Sequence, residues 1–125
     1  MNDRFRLRAY VKAHEEVEMV EEINYEAWEV DNKPLFIVGG VGRTEEEIVL
    51  MQSTGLKDKN GKLIFEGDII KVNEFGKPVK VEFYGIGFRL IREPNNTIGY
   101  ERRDYIPEDC EIIGNIYENK ELLNE

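Results

Sequence analysis

One histidine, one cysteine and a few clustered carboxylates are the residues of this 125-residue chain best suited to chemistry. His14 sits among Lys12, Glu15 and Glu16, so a triad using histidine as base would have to be built around it alone. A solvated surface histidine is the simpler account. Cys110 follows Glu108-Asp109 and precedes Glu111. Such neighbours raise a thiol pKa and weaken the group as a nucleophile, so Cys110 reads as a small apolar packing residue.

Metal and phosphate chemistry fare no better. Asp58-Lys59-Asn60-Gly61 has the composition of a calcium-loop fragment, but glycine arrives too soon for the EF-hand spacing. Turn chemistry explains Asp58, Asn60 and Gly61 without a metal. Glu66 and Asp68 flank Gly67 and, with Asp104 and Asp109, are the only acids that suggest a magnesium cluster; carboxylates in turns are common, and the sequence supplies no pairing among them. Gly39-Gly40-Val41-Gly42-Arg43 has neither dinucleotide-loop spacing nor the Gly-Lys-Ser/Thr ending of a P-loop. A hinge or bend accounts for it.

Two charge patterns suggest surfaces instead. Arg4, Arg6 and Arg8 alternate along a predicted first strand with Tyr10 beside them, a set able to meet phosphates or an acidic partner. The simpler reading is an edge strand whose charges discourage aggregation or pair with the protein's own glutamates. Glu15, Glu16, Glu18, Glu21, Glu22, Glu26 and Glu29 form the opposite pattern. It is a solvated face, or, as an alternative, an imitation of a nucleic-acid backbone. Trp28, Phe36 and Tyr25 are candidate apolar anchors for a partner, with core packing as the competing role.

The elements that position these residues read as strands. Phe5, Leu7, Ala9 and Val11 alternate with Arg4, Arg6, Arg8 and Tyr10, the period-two mark of a half-buried strand. Residues 13–30 fit either a strand face or a helix stripe; Asn24 and Asp31-Asn32 supply turn chemistry that favours strands. Pro34 to Val38 is a short apolar run closed by the glycines of 39–42. Thr44 to Glu47 has the capping-box pattern, with the Thr44 hydroxyl placed to take the Glu47 N–H.

Leu50 to Val72 is the most legible stretch: a strand, a turn at Asn60-Gly61 that predicts positive φ at both residues, and a second strand. Further strands follow around Val79 to Phe83, Phe88 to Ile91 and Ile112 to Tyr117, with a bend or bulge expected at Gly114 and loop chemistry at Pro94 to Thr97. Little helix is left, beyond a terminal turn near Glu121 to Leu123.

Composition bounds the rest. Apolar residues at 41% and charged residues at 34% describe an ordinary globular chain. The formal charge of -9 works against adhesion to nucleic acid or anionic membrane. A single cysteine permits no internal disulfide. No apolar run approaches the ~18 residues of a spanning helix, and the N-terminus lacks a signal-peptide core. A cytoplasmic protein with no membrane contact is expected.

Met51-Gln52-Ser53-Thr54-Gly55-Leu56-Lys57-Asp58-Lys59-Asn60-Gly61-Lys62, then Ile64 and Glu66-Gly67-Asp68-Ile69-Ile70, closely resemble the signature of the YopX family of phage and prophage proteins. Ile113-Gly114-Asn115-Ile116-Tyr117-Glu118-Asn119 and Glu121-Leu122-Leu123 match it as well. The resemblance implies a phage origin and a C-terminal half similar to SH3-type barrels; it brings no established enzymatic activity and supplies no catalytic residues to carry over.

The expectation is therefore a mainly β protein with little helix: a small N-terminal β unit over residues 1–43, then an SH3-like barrel over residues 44–125. Its expected role is non-enzymatic, without cofactor or metal, binding protein and most simply itself as a homo-oligomer in the host cytoplasm. An unidentified phage or host protein is the other expected partner. Nucleic-acid binding through the small barrel is the alternative and not the favoured one.

Overall fold

Strands dominate the computed structural model, which describes residues 6–25, 34–72, 77–84, 87–92, 96–97 and 106–124. In chain order they are β1 (Leu7–Val11), β2 (Glu16–Asn24), β3 (Leu35–Val38), β4 (Val41–Arg43), β5 (Ile48–Lys57), β6 (Leu63–Phe65), β7 (Asp68–Lys71), β8 (Val79–Tyr84), β9 (Gly87–Arg92), β10 (Asn96–Thr97) and β11 (Glu111–Asn115). A 3-10 turn at Lys120–Asn124 is the one helical element among the described residues. No helix there is long and apolar enough to cross a membrane.

The strands form two antiparallel sheets, ordered β4-β3-β2-β1-β5-β6 and β10-β9-β8-β7-β11. Among the described residues neither sheet closes into a barrel. The sequence boundary at Arg43 falls between strands of one sheet, because β5 pairs with β1 from Leu7↔Gln52 to Val11↔Ile48.

Of the described part of residues 13–30, residues 13–15 form a turn, 16–24 are strand and Tyr25 is a bend. Glu16–Asn24 pairs with β1 on one side and β3 on the other. The β-branched Val17, Val20 and Ile23 suit a pleated surface better than a helix here. The ladder to β3 carries a bulge between Val20 and Glu22, which shifts the alternation and makes two periodicities overlap in the sequence.

Two turns differ from expectation. At Asn60-Gly61 only Gly61 has positive φ, at 82°, so this is not the two-residue turn with both residues left-handed. Asp58 organises a five-residue loop instead: its Oδ1 accepts the N–H groups of Asn60 and Lys62 at 2.9 Å each. The two-residue turn occurs at Gly39 (φ 59°) and Gly40 (φ 78°), where Val38 pairs with Val41. The glycine segment read as a hinge is thus the tip of the β3–β4 hairpin.

Thr44 and Glu47 keep half of their capping box. The Glu47 carboxylate reaches back to the Thr44 N–H at 2.9 Å, and this donor, with the Thr44 hydroxyl, holds the Glu47 pKa below its usual value. The Glu47 N–H goes to the Thr44 carbonyl at 3.0 Å rather than to its hydroxyl, and the segment is a turn leading into β5. Asn96–Thr97, expected as loop, pairs with β9 as a short edge strand. The bulge at Gly114 is present, as a register shift between Ile112 and Gly114.

Two hydrophobic cores form, the second of them reaching Ile64 of β6 in the first sheet. In the first, Ala9 and Val11 pack with Phe36, Val38 and Ile48. In the second, Ile70, Val79, Val81 and Leu90 pack with Ile64, Phe88, Ile106 and Cys110. Burying a side chain of this size stabilises by roughly 1.5–3 kcal/mol, so both units hold a real core.

Candidate functional site

Arg8 and Tyr10 alternate onto the face of β1 opposite Ala9 and Val11, and that face meets the second sheet. The turn Glu66-Gly67-Asp68, with Gly67 at φ 88°, drives Asp68 inward to 1% exposure. One Asp68 oxygen accepts the Phe65 N–H at 2.8 Å; the other lies 2.7 Å from Arg8 Nη2. The Arg8 guanidinium also donates to the Glu66 carbonyl at 3.3 Å and sits 4.8 Å from the Phe65 ring centroid. Burial pushes the Asp68 carboxyl up, against the pull of Arg8 and of the Phe65 N–H.

A charge pair so enclosed joins elements rather than transferring protons. Next to it Tyr10 and Tyr117 stack, ring centroids 4.8 Å apart. Tyr117 is held by Asn115, whose Oδ1 accepts the N–H groups of Tyr117 and Glu118 at 3.0 and 2.9 Å. Glu118 in turn accepts the Val17 N–H from β2 at 3.2 Å. Gly114 is glycine for space, since a Cβ there would lie 2.7 Å from Asn119 Oδ1. The Ile113-to-Asn119 run is therefore a loop built to grip the first sheet.

Asp58, 5% exposed, also binds backbone only: besides the two N–H groups of its own loop, its Oδ2 accepts that of Ile112 from β11 at 3.0 Å. Burial works to raise its pKa, but these three donors outweigh it and hold the carboxyl below its usual value. Cys110 is fully buried, and burial first, then Asp58 and Asp109, push its thiol up to about 11. His14 Nε2 lies 2.8 Å from Arg43 Nη2 at the surface. Asp104 is outside the described residues, and no three metal-ligating side chains converge among those described.

The proposed interaction residues scatter. Arg4 and Trp28 lie outside the described residues. Arg8 and Tyr10 are spent on the inter-sheet junction, and Phe36, at 7% exposure, belongs to the first core. Arg6 is exposed beside a groove of about 400 Å3 shared with Met19, Glu21 and Ile23. The large apolar side chains that are exposed among the described residues are Met19 (42%), Tyr25 (64%) and Val41 (48%). All three belong to the β2–β4 side of the first sheet, where β4 is the edge strand, but not to one face: Met19 pairs with Arg8, whereas Val41 pairs with Val38, which stands with Val20 on the opposite face. Met19 and Val41 were not singled out by sequence; a methionine between Glu18 and Glu21 on a half-polar strand was the available signal.

A protein-family model described as YopX protein matches residues 6–124. The fold is similar to the crystal structure of protein EF1440 from Enterococcus faecalis, at 24% identity over 94% of this chain and 96% of that one, with a TM-score of 0.57. It is likewise similar to protein yopX from Bacillus subtilis, at 17% identity over 98% of both chains, with a TM-score of 0.54. No curated protein matches.

Proposed function

Since the chain belongs to the YopX protein family, we propose that it is a non-enzymatic phage or prophage accessory protein of the host cytoplasm that binds protein, first of all itself. One observation carries this reading: Met19, Tyr25 and Val41, the exposed large apolar side chains among the described residues, all belong to the β2–β4 side of the first sheet, whose edge strand is β4. Exposed apolar groups and an open strand edge are what symmetric assemblies cover.

In this reading the second half keeps an SH3-like arrangement around its own core, and the Arg8–Asp68 junction fixes the two sheets so that the β2–β4 end is presented rigidly. That Asp68 is taken up by Arg8, Asp58 by backbone N–H groups and the Cys110 thiol by the core supports a role without catalysis. Light scattering coupled to size exclusion tests self-association, and substitution of Met19 and Val41 by glutamate localises it.

A further inference from the structure

A second cavity, of about 220 Å3, lies between the Glu66-Gly67 turn, the outer face of β8 and the loop that carries Tyr117. Val49 and Ile116 give it hydrocarbon walls, and Tyr117 adds an aromatic one, while the Val81 side chain turns away into the second core. Two carboxylates line it, those of Glu66 and Glu82.

The two acids are in different states. Glu82 is satisfied, its Oε1 taking Arg89 Nη2 at 2.8 Å and Nε at 3.1 Å. The half-buried Glu66 carboxylate has only the Gln52 N–H, at a long 3.4 Å, and no ion pair among the described residues. Neighbouring cations are committed: Arg8 to Asp68, Arg89 to Glu82, and Lys80, which also lines the cavity, to an interaction of its own. Burial first, and then the charge of Glu82, push the Glu66 carboxyl above its usual value. An incoming cation would relieve both effects.

We propose that this cavity takes a lysine side chain of a partner protein, with its ammonium on Glu66 and its methylene stem along Val49 and Ile116. Hydrocarbon walls with a carboxylate and an aromatic ring match an aliphatic stem bearing a primary ammonium. The chain's formal charge of -9 draws such a partner in. The inference rests on the protein-binding reading above but not on self-association, which is read separately by mass.

Methyl NMR of the full chain tests it, with acetyl-Gly-Lys-Gly-amide as probe, and with the norleucine analogue and cadaverine as comparisons. The lysine peptide moves the Val49 and Ile116 methyl signals saturably, and the norleucine peptide binds at least about tenfold more weakly. Glu66→Gln, with the rest of its spectrum unchanged, shows the same loss. Should that variant fail to fold, the lysine and norleucine comparison on the unaltered protein decides alone. Equal response to the two peptides, or no saturable movement, overturns the site. Cadaverine binding at least about tenfold tighter than the peptide overturns the protein source in favour of a free amine, whereas equal or weaker binding supports it.

Discussion

Arg8 Nη2 stands 2.7 Å from Asp68 Oδ1, and through that contact the second strand face of the first sheet is tied to the turn that opens β7. Their side chains are 11% and 2% exposed. Removing the cation leaves a carboxylate with little water, so Arg8→Ala destabilises by about 3–5 kcal/mol. The double variant Arg8→Met with Asp68→Leu costs less than the single one, because no buried charge remains. Urea denaturation read by far-ultraviolet circular dichroism measures both.

Asp58 makes stability depend on acid. Three N–H donors keep its folded pKa below the unfolded value, so the unfolded chain binds the proton more readily as pH falls. Its contribution is complete above the ordinary aspartate pKa of about 3.9 and is lost as pH drops through the folded value. Asp58→Ala lowers stability at neutral pH by about 1–3 kcal/mol, for the unpaired N–H groups, and flattens the loss below roughly pH 4. Thermal melts from pH 7 to pH 2.5 show the difference.

Gly61 and Gly67 share a left-handed backbone but not their surroundings. At Gly61 a Cβ meets nothing within 4 Å, whereas at Gly67 it lies 3.0 Å from Met51 Sδ and 3.6 Å from Tyr117. Gly61→Ala therefore costs about 1–2 kcal/mol, the backbone term alone. Gly67→Ala costs more, and it disturbs the Tyr10–Tyr117 stack. Paired denaturation curves rank them, with Gly61 the milder.

Cys110 is unreactive in the folded state. With full burial and a thiol pKa near 11, little thiolate exists at pH 8 and none of it is reachable. An aromatic disulfide reagent labels it promptly in urea and at least about a hundredfold more slowly in buffer.

Much of this architecture was legible because period-two alternation reports which residues share a strand face. It does so for Leu7 to Val11 and for β5 to β7. What lies over a face is another matter. Arg8 and Tyr10 mark a polar side whether water or a second sheet covers it, and the Asp68 that settles the question lies in a distant turn. Hence a surface cation was expected where a buried clamp is found. Asn60-Gly61 misled for a similar reason: Asp58, bonded to Ile112 in β11, shapes the loop from outside the dipeptide. At Gly39-Gly40 the outside partner, the Glu21 carboxylate that accepts the Gly40 N–H at 2.7 Å, leaves both residues at positive φ, and local glycine chemistry sets the turn. Phe36 as a core residue rather than an anchor follows from β3 lying between β2 and β4, an order that sequence alone does not give.

Self-association through the β2–β4 end is the central claim, and the mass in solution tests it most directly. Light scattering coupled to size exclusion should give a whole-number multiple of 14.6 kDa at micromolar concentration, falling towards the single-chain mass in the Met19→Glu, Val41→Glu double variant. A mass of 14.6 kDa for the unaltered chain up to roughly 100 μM would contradict it.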